Sequence, residues 1–574
     1  MNIQNSLTKE KVKLKESIDK NPNNINLLND YADICVQLSD LDTALISYKK
    51  SLSLNSNQPK IHFYIGLILK EEEKFADALN YFNSAINLGL RIAEVYFNRG
   101  NIFWRLNKPS EALKDFNGAI LLNSNESDYF YNRALLLKDM GDLNKSLSSI
   151  EKAIEIDSNN DQNLFVQAMI FQDLHLYKDA IKTITKAIGL NQNNSLNYFA
   201  KSRILLDIDK FDESLIAINQ AIRIDSNIAK YYFTKSLILK NMSLYEQAVF
   251  EIEKAIKIEP HNSEFLWNHS VICLLKKDFE KAWVNFDQRW YGAKNNSNRI
   301  NINKPLWNGL KQEGVLLIWH EQGIGDQILY LKFIENIPIK HSNINVFINK
   351  KLVKIFEKSF PDVKFIADDQ NINSLHYDFQ ISMGGLAKLY LRTELDLIHL
   401  KSTFLYADIK ESIAFRDLLK KKRKNKILCG ISWNSNNIRT KKYKSIELKS
   451  LLPILNLENI TFVNIDCCKE KKKKHSNLIT VDKVDNFNNI YSLSSLINAC
   501  DIIITVSNTT AHIAGALGKK TYLLLSSGKG NLWYWHHKEG QSLWYPSIKI
   551  YQQIIYGSWK EPISLLKNDL QLLD

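Results

Sequence analysis

Ala44, Ala78, Ala112, Ser146, Ala180, Ser214, Ala248 and Ala282 stand 34 residues apart without a slip. Twelve residues before each stand Ala32, Gly66, Gly100, Ala134, Ala168, Ser202, Ser236 and Ser270, all small. Seven residues after the middle six stand Ala85, Ala119, Ala153, Ala187, Ala221 and Ala255. A period held over eight copies restricts the fold before any single residue is interpreted, because each copy must be one supersecondary unit whose apolar face only its neighbours cover. Small side chains at fixed points let two helices of a hairpin approach closely. Aromatic residues between them, as in Tyr96-Phe97 and Tyr231-Tyr232-Phe233, fill the stack.

This is the pattern of tetratricopeptide repeats. It predicts a leading helix of an incomplete repeat in residues 1–24 and then an α-solenoid of eight hairpins over 25–292, stacked as a right-handed superhelix with a concave groove. Such a groove implies a protein or peptide partner and carries no chemistry of its own. The last repeat departs from the pattern: Arg289 stands where alanine is due, with Trp283, Phe286 and Trp290 nearby. Those aromatics either pack against the next domain or cap the last repeat.

The period breaks in the polar stretch 294–303, and a linker is expected over 293–313. Residues 315–319 then read as a strand buried on both faces, and apolar residues recur at helical spacing from Gln327. Residues 320–326 are therefore a strand-to-helix loop. Gly323 and Gly325 permit a tight turn and close approach of a ligand, while Asp326 both caps the new helix and faces the crevice above the strand ends. The bland alternative is a helix N-cap behind a glycine turn. Strands at 344–348, 363–366 and 377–381, with a helix at 352–360 and a turn at 382–385, predict a parallel sheet and a first α/β half over 314–420.

Alternation restarts after a basic run at 420–426, giving a second half over 421–574. A strand at 427–433 ends in Trp433, a basic loop follows over 434–444, and a helix covers 446–455. The strand 501–506 runs into Ser507-Asn-Thr-Thr-Ala-His512-Ile-Ala-Gly-Ala-Leu-Gly518. Ser507 or Asn508 caps that helix, Gly518 ends it, and its free first-turn N–H groups with the hydroxyls of Thr509 and Thr510 make a site for a phosphate. His512 lies in the first turn, where the helix dipole should keep it neutral, as a donor contact or in a structural hydrogen bond.

Trp319-His-Glu-Gln-Gly-Ile-Gly-Asp326 resembles the start of the glycosyltransferase domain in bacterial proteins that join tetratricopeptide repeats to a heptosyltransferase-like domain. Lys304-Pro-Leu-Trp307-Asn-Gly309 resembles that family's lead-in, and the Ser507 to Gly518 string closely resembles its nucleotide-sugar motif, with Ser507 where many members carry Asp. Lys444-Ser445 takes the place of the family's Arg-Ser, behind Arg439, Lys441 and Lys442. Lysine keeps the charge there and loses the two-pronged guanidinium. Trp533-Tyr-Trp535 and Ser542-Leu-Trp544-Tyr-Pro546 resemble its aromatic tail.

The resemblance implies a GT-B fold of two Rossmann-like halves, the first facing the acceptor and the second the nucleotide-sugar, tied together by a returning C-terminal helix. It implies metal-independent, inverting sugar transfer with no cofactor. In that reading Asp326 is the base. Gln322, Gly323 and Gly325 shape its loop, and Trp433, Lys444, Ser507, Asn508, Thr509, Thr510 and His512 bind substrate. The repeats would recruit a protein acceptor. Transfer to a lipid-linked glycan, or an inactive scaffold favoured by Ser507 and the missing arginine, are the alternatives. Asp40-Leu-Asp42 looks like an Asp-x-Asp metal motif but falls in a repeat turn, so no metal is expected there.

Composition sets outer limits. The net charge of +13 sits largely in basic runs at 420–426 and 469–474, which read as solvated segments without a nucleic-acid signature. Six cysteines, Cys35, Cys273, Cys429, Cys467, Cys468 and Cys500, show neither metal-type spacing nor a disulfide framework. With no apolar signal core and no run long enough to cross a bilayer, a cytoplasmic chain is expected.

Overall fold

The computed structural model describes residues 2–291, 300, 302–422, 426–467 and 475–573. Most of the stretch 294–303, the middle of the run 420–426, all of the run 469–474 and Cys468 lie outside the described residues. The chain forms two compact units, Met1–Ser226 and Asn227–Asp574.

The first unit is a leading helix, Asn2–Lys20, and six helical hairpins, from Ile25–Gln37 with Leu41–Leu54 to Ser195–Asp207 with Phe211–Ile224. The 34-residue alanines and serines are fully buried in every hairpin. The small residues twelve positions earlier are forced in size where glycine stands: a Cβ on Gly66 would lie 2.6 Å from the Phe82 ring, and one on Gly100 would lie 2.9 Å from Phe116. Where serine replaces alanine, its hydroxyl is spent across the hairpin, as from Ser146 to the Ala134 carbonyl at 2.6 Å and between Ser202 and Ser214. The period continues in the backbone. Ser39, Glu73, Asn107, Gly141, His175 and Asp209 all turn through positive φ between the two helices, and the following N–H bonds back into the first helix, as from Asp40 to the Cys35 carbonyl at 2.8 Å. Asp40 caps its helix and pairs with Lys11 at 2.5 Å, so its carboxylate is committed to the fold.

The second unit opens with two more hairpins, Ala229–Asn241 with Tyr245–Ile258 and Ser263–Lys276 with Phe279–Asn285. Its first sheet is β1 (Leu316–Trp319), β2 (Ile344–Ile348), β3 (Lys364–Ala367) and β4 (Phe379–Ser382), all parallel in the order β3-β2-β1-β4. The second sheet holds β5 (Ile427–Ile431), β6 (Ile460–Asn464), β7 (Leu478–Thr480), β8 (Ile502–Val506), β9 (Thr521–Leu525), β10 (His537–Lys538), β11 (Gln541–Ser542) and β12 (Ile548–Gln552). Its parallel part runs β7-β6-β5-β8-β9-β12, with β11 and β10 added antiparallel at the edge. That is the 3-2-1-4-5-6 order of a doubly wound sheet, and its direction reverses between β5 and β8, so the loops after those two strands border the crevice where sheets of this order receive ligands.

Three local expectations change. The helix after β1 starts at Ile324 rather than Gln327, because Asp326 in its first turn binds the N–H of Gly323. The segment 382–385 is the start of a helix, Met383–Tyr390, capped by Ser382. The last helix, Lys560–Gln571, buries Ile563, Leu566 and Leu570 in the core of the second sheet instead of crossing to the first, since those residues fall on the one face that fits beside β9 and β12. The crossing element is Ile409–Lys422, which packs on Ile490–Ala499 and sends Arg416 to the Ala499 carbonyl. Among the described residues no helix is long and apolar enough to cross a membrane.

Candidate functional site

β1 delivers His320, Glu321, Gln322 and Gly323 to the C-terminal edge of the first sheet. Gly323 caps the helix Ile324–Leu331, and its N–H donates to Asp326 Oδ2 at 3.0 Å. The Gln322 carbonyl accepts from Gln327 Nε2 at 3.2 Å. Asp326 is thereby held at the mouth of the loop, half-buried. Burial raises its pKa to about 6, against the opposing pull of Lys444 and the Gly323 N–H, while Glu321 adds to the rise.

Glu321 fixes this loop from behind. It is 4% exposed and takes a two-pronged pair from Arg289, Nε to Oε2 at 2.7 Å and Nη2 to Oε1 at 3.1 Å. Its Oε1 also accepts the Gly384 N–H at 2.7 Å. Arg289 further donates to Ser382 Oγ and to the Phe286 carbonyl. The odd residue of the eighth repeat is therefore the anchor of the Asp326 loop. Of the neighbouring aromatics, Trp283 donates to the Leu391 carbonyl and stacks edge-on to Trp533, and Trp290 lies against Trp319, so they join the last repeat to the sheets.

The opposite wall is the helix Thr509–Ala516 after β8. Asn508 caps it, accepting the Ala511 N–H at 3.2 Å, and its amide donates to Ser432 Oγ and the Asn434 carbonyl, both at 2.9 Å. Ser507 is buried and accepts the Trp535 indole N–H at 2.8 Å. Trp433 is a core side chain under the second sheet. Expected as substrate contacts, the side chains of Ser507, Asn508 and Trp433 are committed to the scaffold, because each satisfies a buried backbone, indole or apolar neighbour. Thr510 is 1% exposed and Thr509 is half-buried, which leaves the first-turn backbone and Thr509 as the accessible part of that helix end.

His512 sits among Tyr534, Trp535 and Tyr545, with Nδ1 3.1 Å from the Tyr545 hydroxyl. Burial first, and Lys444 second, lower its pKa to about 3. The ring is neutral as expected, but by desolvation and a nearby ammonium. Gly325 packs flat against it: a Cβ there would lie 2.7 Å from His512 Cδ2. This contact brings the two helix N-termini together, and Lys332, donating to the Trp544 carbonyl at 2.6 Å, clamps the halves behind them.

Lys444 completes the site. It ends the short helix Lys441–Lys444 in the loop after β5 and is 5% exposed. Its ammonium makes no hydrogen bond or ion pair with a described residue. Burial lowers its pKa to about 8, with Asp326 opposing. The loop is shaped by Asp466, whose Oδ2 accepts the N–H groups of Trp433 and Asn434 at 2.8 and 2.9 Å. An aspartate just past a β-strand end was its only signal in the sequence. Asp326, Gly325, Lys444 and His512 thus converge from three loops. Among the described residues no cluster of His, Cys, Asp and Glu could hold a metal. The chemistry on offer is a carboxylate able to change protonation near neutrality, a buried cation that feels this carboxylate but forms no ion pair with a described residue, and a helix N-terminus.

Sequence profiles of the tetratricopeptide repeat match residues 25–58, 65–128, 127–160 and 229–262, and these repeats are present in the N-terminal half. Protein FlbA of Caulobacter vibrioides is 23% identical over 308 residues, 49% of this chain and 50% of that protein. The chain therefore spans about half the length of that relative. Among solved structures, YrrB, described as a TPR protein with an unusual peptide-binding site, is 21% identical with a TM-score of 0.31 over 33% of this chain and 97% of its own. MamA is 23% identical with a TM-score of 0.27, covering 28% and 94%. A tetratricopeptide repeat protein from Parabacteroides merdae is 17% identical with a TM-score of 0.37, covering 43% and 98%.

Proposed function

We propose that the chain is a glycosyltransferase of the GT-B type, moving a sugar from a nucleotide-sugar to an acceptor hydroxyl on a protein recruited by the repeats. The observation that carries this reading is the meeting of Asp326, its pKa raised to about 6, with the buried and unpartnered Lys444 beside the N-terminus of Thr509–Ala516. Asp326 takes the proton of the acceptor hydroxyl as its oxygen attacks the anomeric carbon. The bond from that carbon to the diphosphate breaks on the opposite face, and configuration inverts. Lys444 and the free N–H groups of the helix end hold the charge that develops on the leaving diphosphate. A base whose pKa lies just below neutral is ionised at working pH yet still strong enough to accept the proton. A diphosphate would also restore to Lys444 the charge partner that burial denies it.

Thermal melts of the full chain against a panel of nucleoside diphosphate sugars test the donor half of this reading, since a ligand that binds only the folded state raises the melting temperature. At least one member should stabilise the wild type, and Lys444→Met should abolish that response. If no member stabilises the wild type, or if the variant responds equally, the donor site is wrong.

A further inference from the structure

Beyond β9 the chain makes the loop Ser526-Ser527-Gly528-Lys529-Gly530-Asn531. β9 and β12 run parallel side by side, so this loop opens at the C-terminal edge of the second sheet, where such sheets receive ligands. Several polar atoms there are closed from solvent and unpartnered: Ser526 Oγ, Ser527 Oγ, Gln553 Nε2 and Asn531 Oδ1. Ser526 is 2% exposed and Gln553 4%.

The orientation of Gln553 is set by its other atom. Oε1 accepts the N–H groups of Ser527 and Gly557 at 3.3 and 3.2 Å, which leaves the NH2 as a free donor. Asn531 spends its NH2 on the Tyr245 hydroxyl at 3.4 Å, which leaves an acceptor. Buried polar groups are almost always satisfied, so a cluster of orphans points to something that binds among them.

The seventh repeat adds charge to the same place. Gly528 lies against the end of the helix Ala229–Asn241, where a Cβ would stand 2.8 Å from the Asn241 carbonyl oxygen. Lys240, in that last turn, is half-buried and makes no hydrogen bond or ion pair with a described residue. Burial, then the charge of Lys529, lowers its pKa to about 8. Lys529 Nζ is 5.6 Å from the centre of the Tyr443 ring, which faces Tyr556 at 6.2 Å. A water could answer one or two of the orphan donors. It could not offset the buried ammonium of Lys240, whereas a tetrahedral oxyanion does both.

We infer that Lys240, Lys529, Ser526, Ser527 and Gln553 form a second oxyanion site for a phosphate-type group, next to the Asp326–Lys444 site and built partly by the repeats. Asn531 Oδ1 accepts the hydroxyl of a singly protonated phosphate. This inference stands apart from sugar transfer, because it asks only whether phosphate binds at these residues.

The probe is inorganic phosphate added to the full chain at constant ionic strength. Acylation of each lysine by an amine-reactive ester is followed by peptide mass spectrometry. Phosphate should protect Lys240 and Lys529 in the wild type and equally in Lys444→Met, and Lys240→Met should weaken phosphate binding about tenfold in the Lys444→Met background. Unchanged labelling of Lys240 and Lys529 at saturating phosphate overturns the inference, as does loss of their protection in Lys444→Met alone. The wild-type labelling uses the unaltered chain, so that outcome does not depend on a variant folding.

Discussion

Replacing Asp326 by asparagine removes a charge that the fold holds at a cost. Burial lifts this carboxyl from 3.8 to about 6, about two pH units, and each unit corresponds to about 1.4 kcal/mol. The full cost of ionising it in place is thus on the order of 3 kcal/mol, which solvent screening of a half-buried group reduces to roughly 1–2 kcal/mol. Because the folded protein holds the proton more tightly than the unfolded chain, Asp326 favours folding most below pH 3.8, and this contribution is lost as pH rises to about 6. Asparagine keeps an oxygen to accept the Gly323 N–H and carries no charge. Thermal or urea melts of both proteins between pH 4 and 8 should therefore superimpose near pH 4. They should separate between pH 4 and 6, with Asp326→Asn the more stable by a few degrees, and hold that gap to pH 8. A gap independent of pH, or a variant less stable at pH 8, would refute the electrostatic description of the site.

Other substitutions test the scaffold. Arg289→Met leaves Glu321 buried without its partner and should lower stability in urea unfolding by about 3–5 kcal/mol, with much of the loss recovered by adding Glu321→Gln. Gly325→Ala drives a methyl into His512 and should cost about 1–3 kcal/mol by the same measurement, where a neutral result would deny the close approach of the two helix ends. His175→Gly relieves a positive φ of 59° in a repeat turn and should raise stability by about 1 kcal/mol, observed as a later urea midpoint.

The parts legible in the sequence were those with a local code. The 34-residue period specified the hairpins because each alanine or serine is fixed by one contact repeated down the stack. The apolar runs within 315–319, 427–433 and 501–506 marked the buried parallel strands Leu316–Trp319, Ile427–Ile431 and Ile502–Val506, because both faces are covered. What has no local code is whether a polar residue at a strand end also serves the fold. Asn508, Ser507 and Trp433 sit at strand ends where substrate contacts are expected, yet each is consumed by a neighbour distant in the chain. Glu321 and Arg289 were equally opaque, since a pair 32 residues apart has no period to announce it. Lys240 was hidden in a periodic slot of a repeat, and only the loop after β9 gives it meaning. Lys444 was visible as a charge, but its burial and lack of a partner were not.

Sugar transfer itself is tested most directly by the intact mass of candidate acceptor proteins co-expressed with the chain. The wild type should add a discrete sugar mass to at least one acceptor, and Asp326→Asn, folded and still stabilised by the same nucleotide-sugar, should add none. An acceptor mass unchanged by the wild type across donors that bind, or sugar added equally by Asp326→Asn, would contradict the role given to this site.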